Sequence, residues 1–524
     1  MVDDKGSPFL DTILRLDAQG DVAGLLQYVN TRPFEINELL AVTYHLLTRA
    51  RLLFAFVLAM LMDRNGQQHW VISLALGFGG LLFNRPDTEA TGLARLAAQV
   101  DALSRKQQSQ IHRLIVNPVL QQLIKADKQR SLSTDELLRL LEICKAVIPR
   151  FRTAFDWQAP VPVLSLDGLR QRGRDQAHLF AYPLPEAGLP RKKRHVIIFM
   201  KDFYIAHRLA TAMERYGWGV ALHATPTWSI DAEADGRTVL ALCRQHETDL
   251  VVLYLNQVAS GQPALHDLLE RLRQERPALK LVAVSCDSWS VREGLLDEEP
   301  DTPFAPSFRR LIDLLDGVWV SDSPSLSTWN TPLFAGKVLH VHLPHACAPA
   351  PTVAPLADRM LFIGTKMDYL SWFRPFWLLA AERLGLPIEQ QAHLFPYDLG
   401  VVPTGTDSLD CYARHMQWIQ DATCCLHFTM KHQDLRCIVT HRSFEALLSG
   451  ALLVQERAPD MHRFFIPGEH YLEFASLAEL SAIARFMTER REEAEEIRRC
   501  GSAFAREHYS DDKLLGYLEK FLWP

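Results

Sequence analysis

The chain has 524 residues, with 56 Lys and Arg against 62 Asp and Glu and a formal net charge of −6. That balance gives no basic surface for general nucleic-acid binding or for attachment to an anionic membrane. A composition of 48% hydrophobic and 23% charged residues excludes a disordered or fibrous chain, and the length accommodates three domains of ordinary size.

Nine cysteines, scattered without a CxxC pair, fit a reducing compartment and not a disulfide framework. The opening MVDDKGSPFL is acidic and lacks the basic-then-apolar order of a signal peptide. The expected location is the cytoplasm.

Residues 1–152 read as an all-helical domain. Apolar residues recur at three and four in FLDTILRL, LARLAAQVDAL and ELLRLLEICKAVI. Ser133-Thr134-Asp135-Glu136 is a helix N-terminal signal, and Asn84-Arg85-Pro86-Asp87 is a break. The apolar runs 52–62 and 70–83 fall short of the roughly 18 residues that a spanning helix needs. They are read as buried helices, so no transmembrane segment is expected. No clean repeat period emerges. Two roles stand open for this region: a structural cap, or a docking surface for a protein acceptor or partner.

Residues 153–194 contain AP, VP, YPLP and GLP, then the run Arg191-Lys192-Lys193-Arg194. Proline at that density predicts an extended linker.

From His195 the pattern becomes alternating strands and helices: HVIIFM, IAHRLATAMERYG ended by Gly217, WGVALHA, DLVVLYL, LHDLLERLRQERP, LKLVAVSC and GVWVSD. Buried β-branched strands separated by helices imply a parallel, doubly wound sheet over 195–350. Ligands bind such sheets at the carboxyl ends of the strands. That rule selects Lys201-Asp202, Asn256, Asp287 and Asp322.

A second α/β region covers 351–524. PAPTVAPLA (349–357) reads as the link into it, and Met360-Leu361-Phe362-Ile363 as its first strand, turning at Gly364-Thr365-Lys366. A helix over 374–385 and the strand around TCCLHFT follow, and then RCIVTHRSFEALLSGALLVQE (436–456). This last stretch reads as loop, helix, glycine stop and buried strand. It sets His441, Arg442 and Glu445 near a helix N-terminus, where backbone N–H groups favour an anion. A nucleotide diphosphate with its ribose needs both a cation for the phosphates and a carboxylate for the hydroxyls.

Arg442, Phe444-Glu445-Ala446-Leu447, Gly450-Ala451-Leu452-Leu453 and Phe465-Ile466-Pro467-Gly468-Glu469 resemble the R-x-F-E-A-L-x-x-G-A-L-L and F-x-P-G-E motifs of the glycosyl transferases group 1 family, in its spore-maturation-protein-like (CgeB-like) branch. The resemblance is good from Val338 onward, fainter over 195–337 and absent over 1–190.

It implies an α/β GT-B fold, two Rossmann-like domains facing a cleft, here preceded by the all-α domain. The acceptor side would be 195–350. The nucleotide-sugar side would be 351–524, with the last helix, in DDKLLGYLEKFLWP, crossing back to the first sheet.

The implied activity is glycosyl transfer from a nucleotide-sugar to a protein or glycan hydroxyl, with no separate cofactor and no metal. Glu445 would accept from the ribose. Arg442, His441, Gly364, Thr365, Lys366 and Arg374 would hold the diphosphate. Asp287 would orient or deprotonate the acceptor, with a helix cap as its structural alternative. His345 would contact the sugar or acceptor.

His340 and His342 share one strand face, but no carboxylate or cysteine is spaced to complete a metal site with them. Three departures stand out. Retaining relatives often carry a second Glu where this chain has Cys437. The turn FMKDFY has no glycine, and no D-x-D is present. A non-catalytic GT-B scaffold and a GT-B nucleotide-sugar epimerase remain the alternatives.

Overall fold

The computed structural model describes residues 8–31, 35–49, 51–83, 85–103, 134–147, 149–175, 193–226, 231, 233–255, 263–285, 306–321, 329, 331–350, 354–364, 374–391, 405–428, 431–432, 436–437 and 439–524. They form two compact units. One comprises Met1–Pro160 with Lys366–Leu384, the other Val161–Thr365 with Gly385–Pro524.

The first unit is all-helical where described: Pro8–Gln19, Val22–Asn30, Ile36–Thr48, Leu52–Arg64, Trp70–Leu82, Pro86–Val100, Thr134–Val147, Pro149–Ala154 and Arg374–Arg383. Its centre is Trp70–Leu82, in which every residue from Val71 to Leu81 is buried. Small residues make that burial possible. A Cβ on Gly92 would stand 2.7 Å from the Gly77 nitrogen, and one on Gly79 would meet the Phe56 ring, so neighbouring helices close to backbone distance. The apolar runs are therefore core helices. No helix of the described residues is long and apolar enough to cross a membrane.

The second unit holds two parallel sheets. The first comprises β1 His195–Lys201, β2 Gly219–Thr225, β3 Leu250–Tyr254, β4 Lys280–Ser285, β5 Gly317–Val320 and β6 Val338–His340, in the order β2-β1-β3-β4-β5-β6. The second comprises β7 Met360–Ile363, β8 Ile388–Gln391, β9 Cys424–His427, β12 Leu452–Glu456 and β13 Leu472–Phe474, in the order β13-β12-β9-β7-β8. The short strands β10 Lys431–His432 and β11 Arg436–Cys437 pair antiparallel as a separate ribbon. Two Rossmann-like sheets after a helical N-terminal region make a GT-B fold.

β12 shows how sequence dictates position here. Gly450, at φ 81°, makes the turn that a side chain would strain. Leu452–Glu456 is then buried at all five positions, as a strand covered on both faces must be.

One apolar core runs from the first sheet (Val196, Trp319, Leu339) to the second (Leu361, Cys425, Leu453) and into the last helices (Tyr509, Leu514, Leu518). The final helix, Asp511–Leu522, lies on the first sheet. Phe521 fills the space beside Gly317, Trp523 stacks 3.9 Å from the Arg194 guanidinium, and Tyr216 donates to Glu519 at 3.2 Å.

Two expectations about organisation are revised. Within 153–194, Leu166–Arg174 is a helix capped by Ser165, with Leu166, Leu169 and Gly173 buried. A Cβ on Gly173 would stand 2.4 Å from Pro467, and Arg170 donates to the Gly468 carbonyl at 3.1 Å. Three apolar positions on one face outweigh the prolines that flank them. The segment Lys366–Leu384 also leaves the expected nucleotide-sugar domain and joins the helical unit.

Candidate active site

Strand order reverses between β1 and β3 in the first sheet and between β7 and β9 in the second. The crevice of a doubly wound sheet lies at the carboxyl ends of the strands flanking such a reversal.

The helix His441–Leu448 sits at the second of these points. Thr440, its N-cap, pairs through Oγ1 with Nε2 of His427, the last residue of β9, at 2.8 Å. Arg442 donates through Nη1 to the carbonyl of Ile363, the last residue of β7, at 2.6 Å. Side chains of the first turn thus span the β7 and β9 ends, while Phe444 turns inward and stacks on His342 at 3.9 Å.

Glu445 lies one turn on, 5% exposed. Its Oε1 accepts from the Tyr412 hydroxyl at 2.8 Å, and its Oε2 accepts from Arg442 Nε at 2.8 Å and meets His415 Nε2 at 3.4 Å. Burial by itself would raise its pKa. The Arg442 cation, with the His415 hydrogen bond, overrides that and holds the carboxyl well below its usual range. Glu445 is therefore ionised and can only accept.

That fact orders the protons around it. Tyr412 must give its single hydrogen to Glu445, so the other neighbours of its oxygen must donate. Arg208 does so through Nη1 at 3.0 Å, and His345 through Nδ1. His345 Nε2 is then an acceptor, and His342 Nδ1 donates to it at 3.0 Å and to the Leu343 carbonyl at 2.9 Å. One chain of donors runs from β6's exit, through Tyr412 on the helix Gly405–Ala422, to Glu445.

Burial holds the histidines neutral. His345 is pushed down to about 3, first by burial and then by the nearby Arg208 charge. His342 and His441 lie well below their ordinary value for the same first reason, and His415 is lowered by burial and then by Arg442. Asp511, at the start of the last helix, accepts from the backbone N–H of His345 at 2.7 Å and of Ala346 at 2.8 Å. This fixes the loop that carries His345.

The structure brings Glu445, Arg442, His441 and His345 into this one cluster. His441 lies 6.4 Å from His345, edge to face, with both ring nitrogens out of solvent and without hydrogen-bond partners. Gly364 is buried directly after β7.

His345 has no surface to offer a sugar or acceptor. It is 0% exposed and both ring nitrogens are engaged. Its position is that of a brace for Tyr412. Arg374 belongs to the other unit, buried at the start of Arg374–Arg383. Asp287, Thr365 and Lys366, like Asn256 and Asp322, lie outside the described residues. The described residues contain no group of three His, Cys, Asp or Glu fit to hold a metal ion, and His340 is held down to about 4 chiefly by burial.

Sequence reasoning missed Tyr412, His415 and Arg208. A signal existed for Arg208. In IAHRLATAM it stands within the apolar stripe of Ile205, Ala206, Leu209, Ala212 and Met213, and it is 0% exposed. A guanidinium there demands a buried partner.

A family model described as glycosyl transferase-like matches residues 407–519, the segment that contains Tyr412, His415, Arg442 and Glu445. No curated protein matches the sequence significantly. Solved structures that resemble the chain include HepE of Anabaena in complex with UDP and glucose, at 12% identity, covering 62% of this chain and 98% of that chain with a TM-score of 0.39. Sucrose-phosphate synthase of Thermosynechococcus elongatus is 13% identical, covering 63% and 99%, with a TM-score of 0.40. A mutant O-GlcNAc transferase of Thermobaculum terrenum is 14% identical, covering 93% and 96%, with a TM-score of 0.33.

Proposed function

The chain carries a glycosyl transferase-like domain on a GT-B fold, and from that premise we propose that it moves a sugar from a nucleotide-sugar to a hydroxyl of a protein or glycan, without a metal ion. The observation that carries this reading is the N-terminus of His441–Leu448, laid across the ends of β7 and β9 with a part-buried guanidinium in its first turn.

Such a helix end offers free N–H groups and a positive dipole to a diphosphate. Arg442, fixed by Glu445 and the Ile363 carbonyl, adds a full charge at that end without reorganising. It opposes the negative charge that grows on the departing diphosphate. Three donors already occupy Glu445, and a carboxylate has about four acceptor positions. One position, on Oε1, is left for a ribose hydroxyl. The helical first unit supplies a surface for a macromolecular acceptor or a partner.

The test is a thermal-shift panel of nucleoside diphosphates and nucleotide-sugars. A ligand at a hundred times its Kd adds about 2.7 kcal/mol. Arg442→Met should abolish the shift, while the fold, read by circular dichroism, persists. A panel without any shift, or a shift indifferent to Arg442, overturns the reading.

The number of internal donors on Glu445 favours a second reading, a non-catalytic shell in which Arg442 and Glu445 are a structural pair. Release of nucleoside diphosphate from a bound nucleotide-sugar by the wild-type protein, absent in Arg442→Met, excludes it.

A further inference from the structure

The first sheet has its own strand-order reversal, at β1 and β3, and a histidine–carboxylate pair stands there. Asp202 directly follows β1. Its backbone N–H bonds the Thr225 carbonyl at the end of β2, 2.7 Å away. Its Oδ1 accepts from the backbone N–H of Gly405, at the start of Gly405–Ala422, at 2.9 Å. The carboxylate is thus held from two sides, by the sheet and by the helix that carries Tyr412.

His207 Nε2 lies 2.6 Å from the same Oδ1. Facing a carboxylate oxygen that already accepts one hydrogen, Nε2 carries the ring proton, and Nδ1 presents its lone pair. Among the described residues Nε2–Asp202 is the hydrogen bond that His207 makes through its ring, and the His207 side chain is 15% exposed. The next residue on the helix is Arg208, bound to Tyr412 and through it to Glu445. The helix that bears His207 is therefore locked to the nucleotide end of the site.

A second such pair, His223 with Asp235 at 2.9 Å, lies on edge strand β2, away from the reversal. Its Asp235 also accepts from the backbone N–H of Asp231, as a local turn cap does. The neutral histidines 342, 345 and 441 have ring nitrogens that are engaged or out of solvent. His207 combines a partly exposed side chain with a fixed orienting carboxylate on Nε2, which leaves Nδ1 as the acceptor atom of the ring.

We propose that His207, aligned by Asp202, is the base that takes the proton from the attacking hydroxyl, and that transfer inverts the anomeric carbon. This inference rests on the glycosyl-transfer reading above. The hydroxyl proton passes to His207 Nδ1 and the oxygen's electron pair forms the bond to the anomeric carbon. The carbon–oxygen bond to the diphosphate breaks, and its pair leaves on the phosphate oxygen. One displacement from the face opposite the leaving group reverses the configuration, and the step needs no further reactant. His207 is the catalytic residue and Asp202 a positioning residue.

Water serves as the acceptor in the test, so the natural acceptor need not be known. UDP-glucose, or whichever nucleotide-sugar gives the largest thermal shift, is incubated with the full-length protein, and the first-formed anomer of the free sugar is read by proton NMR before mutarotation. The expected product is the anomer opposite to the donor's. His207→Gln should lower the rate by about a hundredfold with the donor's thermal shift unchanged. Asp202→Asn should lower kcat too while leaving the KM and thermal shift of the donor unchanged, a split that a merely structural loss would not give.

A retained anomer, or a His207→Gln rate within about threefold of wild type, overturns the proposal while leaving glycosyl transfer standing. No thermal shift and no sugar release with any donor in the wild-type protein overturns the underlying reading, and this proposal with it.

Discussion

The Arg442–Glu445 pair lends itself to a double-mutant cycle. Their side chains are 13% and 6% exposed and meet at 2.8 Å, so neither charge has bulk water to fall back on. Glu445→Gln sets an amide N–H2 against the Arg442 N–H and strands a buried cation. Arg442→Met strands a buried anion. Each single change should cost about 3–5 kcal/mol, because breaking one side of a buried pair leaves the other uncompensated. The double variant removes both charges and should cost about as much as one single variant, a coupling of about 3 kcal/mol.

Amide exchange read by mass spectrometry over 441–456 measures this locally, with 70–82 in the other unit as the control. Acid provides a second arm. Because the folded Glu445 carboxyl is held well below 4.5, its contribution is full above that value and is lost as pH falls further, toward the folded value. The wild-type protein should lose protection over 441–456 in that range, and Glu445→Gln should lack this component. Single costs that add within about 0.5 kcal/mol, or identical acid profiles, would refute the buried ion pair as the organiser of this helix.

His345 gives a different window. Its folded pKa is about 3 against an ordinary 6.5, so its stabilising effect is complete above pH 6.5 and falls by up to about 1.4 kcal/mol per pH unit below it. The buried His342, His415 and His441 add slopes of the same sign, so a pH series of exchange protection should show their sum, and His345→Gln should reduce it by up to about 1.4 kcal/mol per pH unit. Tyr412→Phe leaves Glu445 Oε1 and the His345 N–H without their partner. It should cost at least about 3 kcal/mol and weaken nucleotide binding in the same thermal-shift panel. Gly501→Ala gains about 1 kcal/mol in helix propensity, but its Cβ would sit 2.0 Å from the His470 backbone oxygen. Net destabilisation of about 1–2 kcal/mol is expected in a thermal melt, and a stabilised variant would contradict that packing.

What the sequence shows and what it hides divide along one physical line. β12 and the helix before it are legible because their information is local: an apolar run, a stop glycine and a charged first turn within 436–456. The same holds for β1 to β5 and for the buried helices 52–64 and 70–82, where period and punctuation lie inside one window. Lys366–Leu384 and Leu166–Arg174 are read wrongly because tertiary packing decides them. An apolar helix between β7 and β8 looks the same in sequence whichever unit claims it, and prolines on either side of Leu166–Arg174 mask a face that only Pro467 and Gly468 explain.

The site itself sits across that line. Glu445 and Arg442 lie three residues apart, inside one motif at a helix N-terminus that the sequence displays. Their supports come from separations of 33 residues for Tyr412 to Glu445, 67 for His345 to Tyr412 and 204 for Arg208 to Tyr412, which no local pattern encodes. A buried charge is the one long-range statement that a single sequence does make. Arg208 on an apolar face, and Glu445 in a helix otherwise buried from Ser443 to Leu448, each require a partner of opposite or polar character inside the protein. They meet on one hydroxyl, Tyr412, which ties the helix after β1 to the helix before β12. Any movement of one sheet's crevice against the other must therefore break or carry along that hydroxyl, so the residue absent from the local sequence pattern is the one through which the ends of the two sheets are coupled.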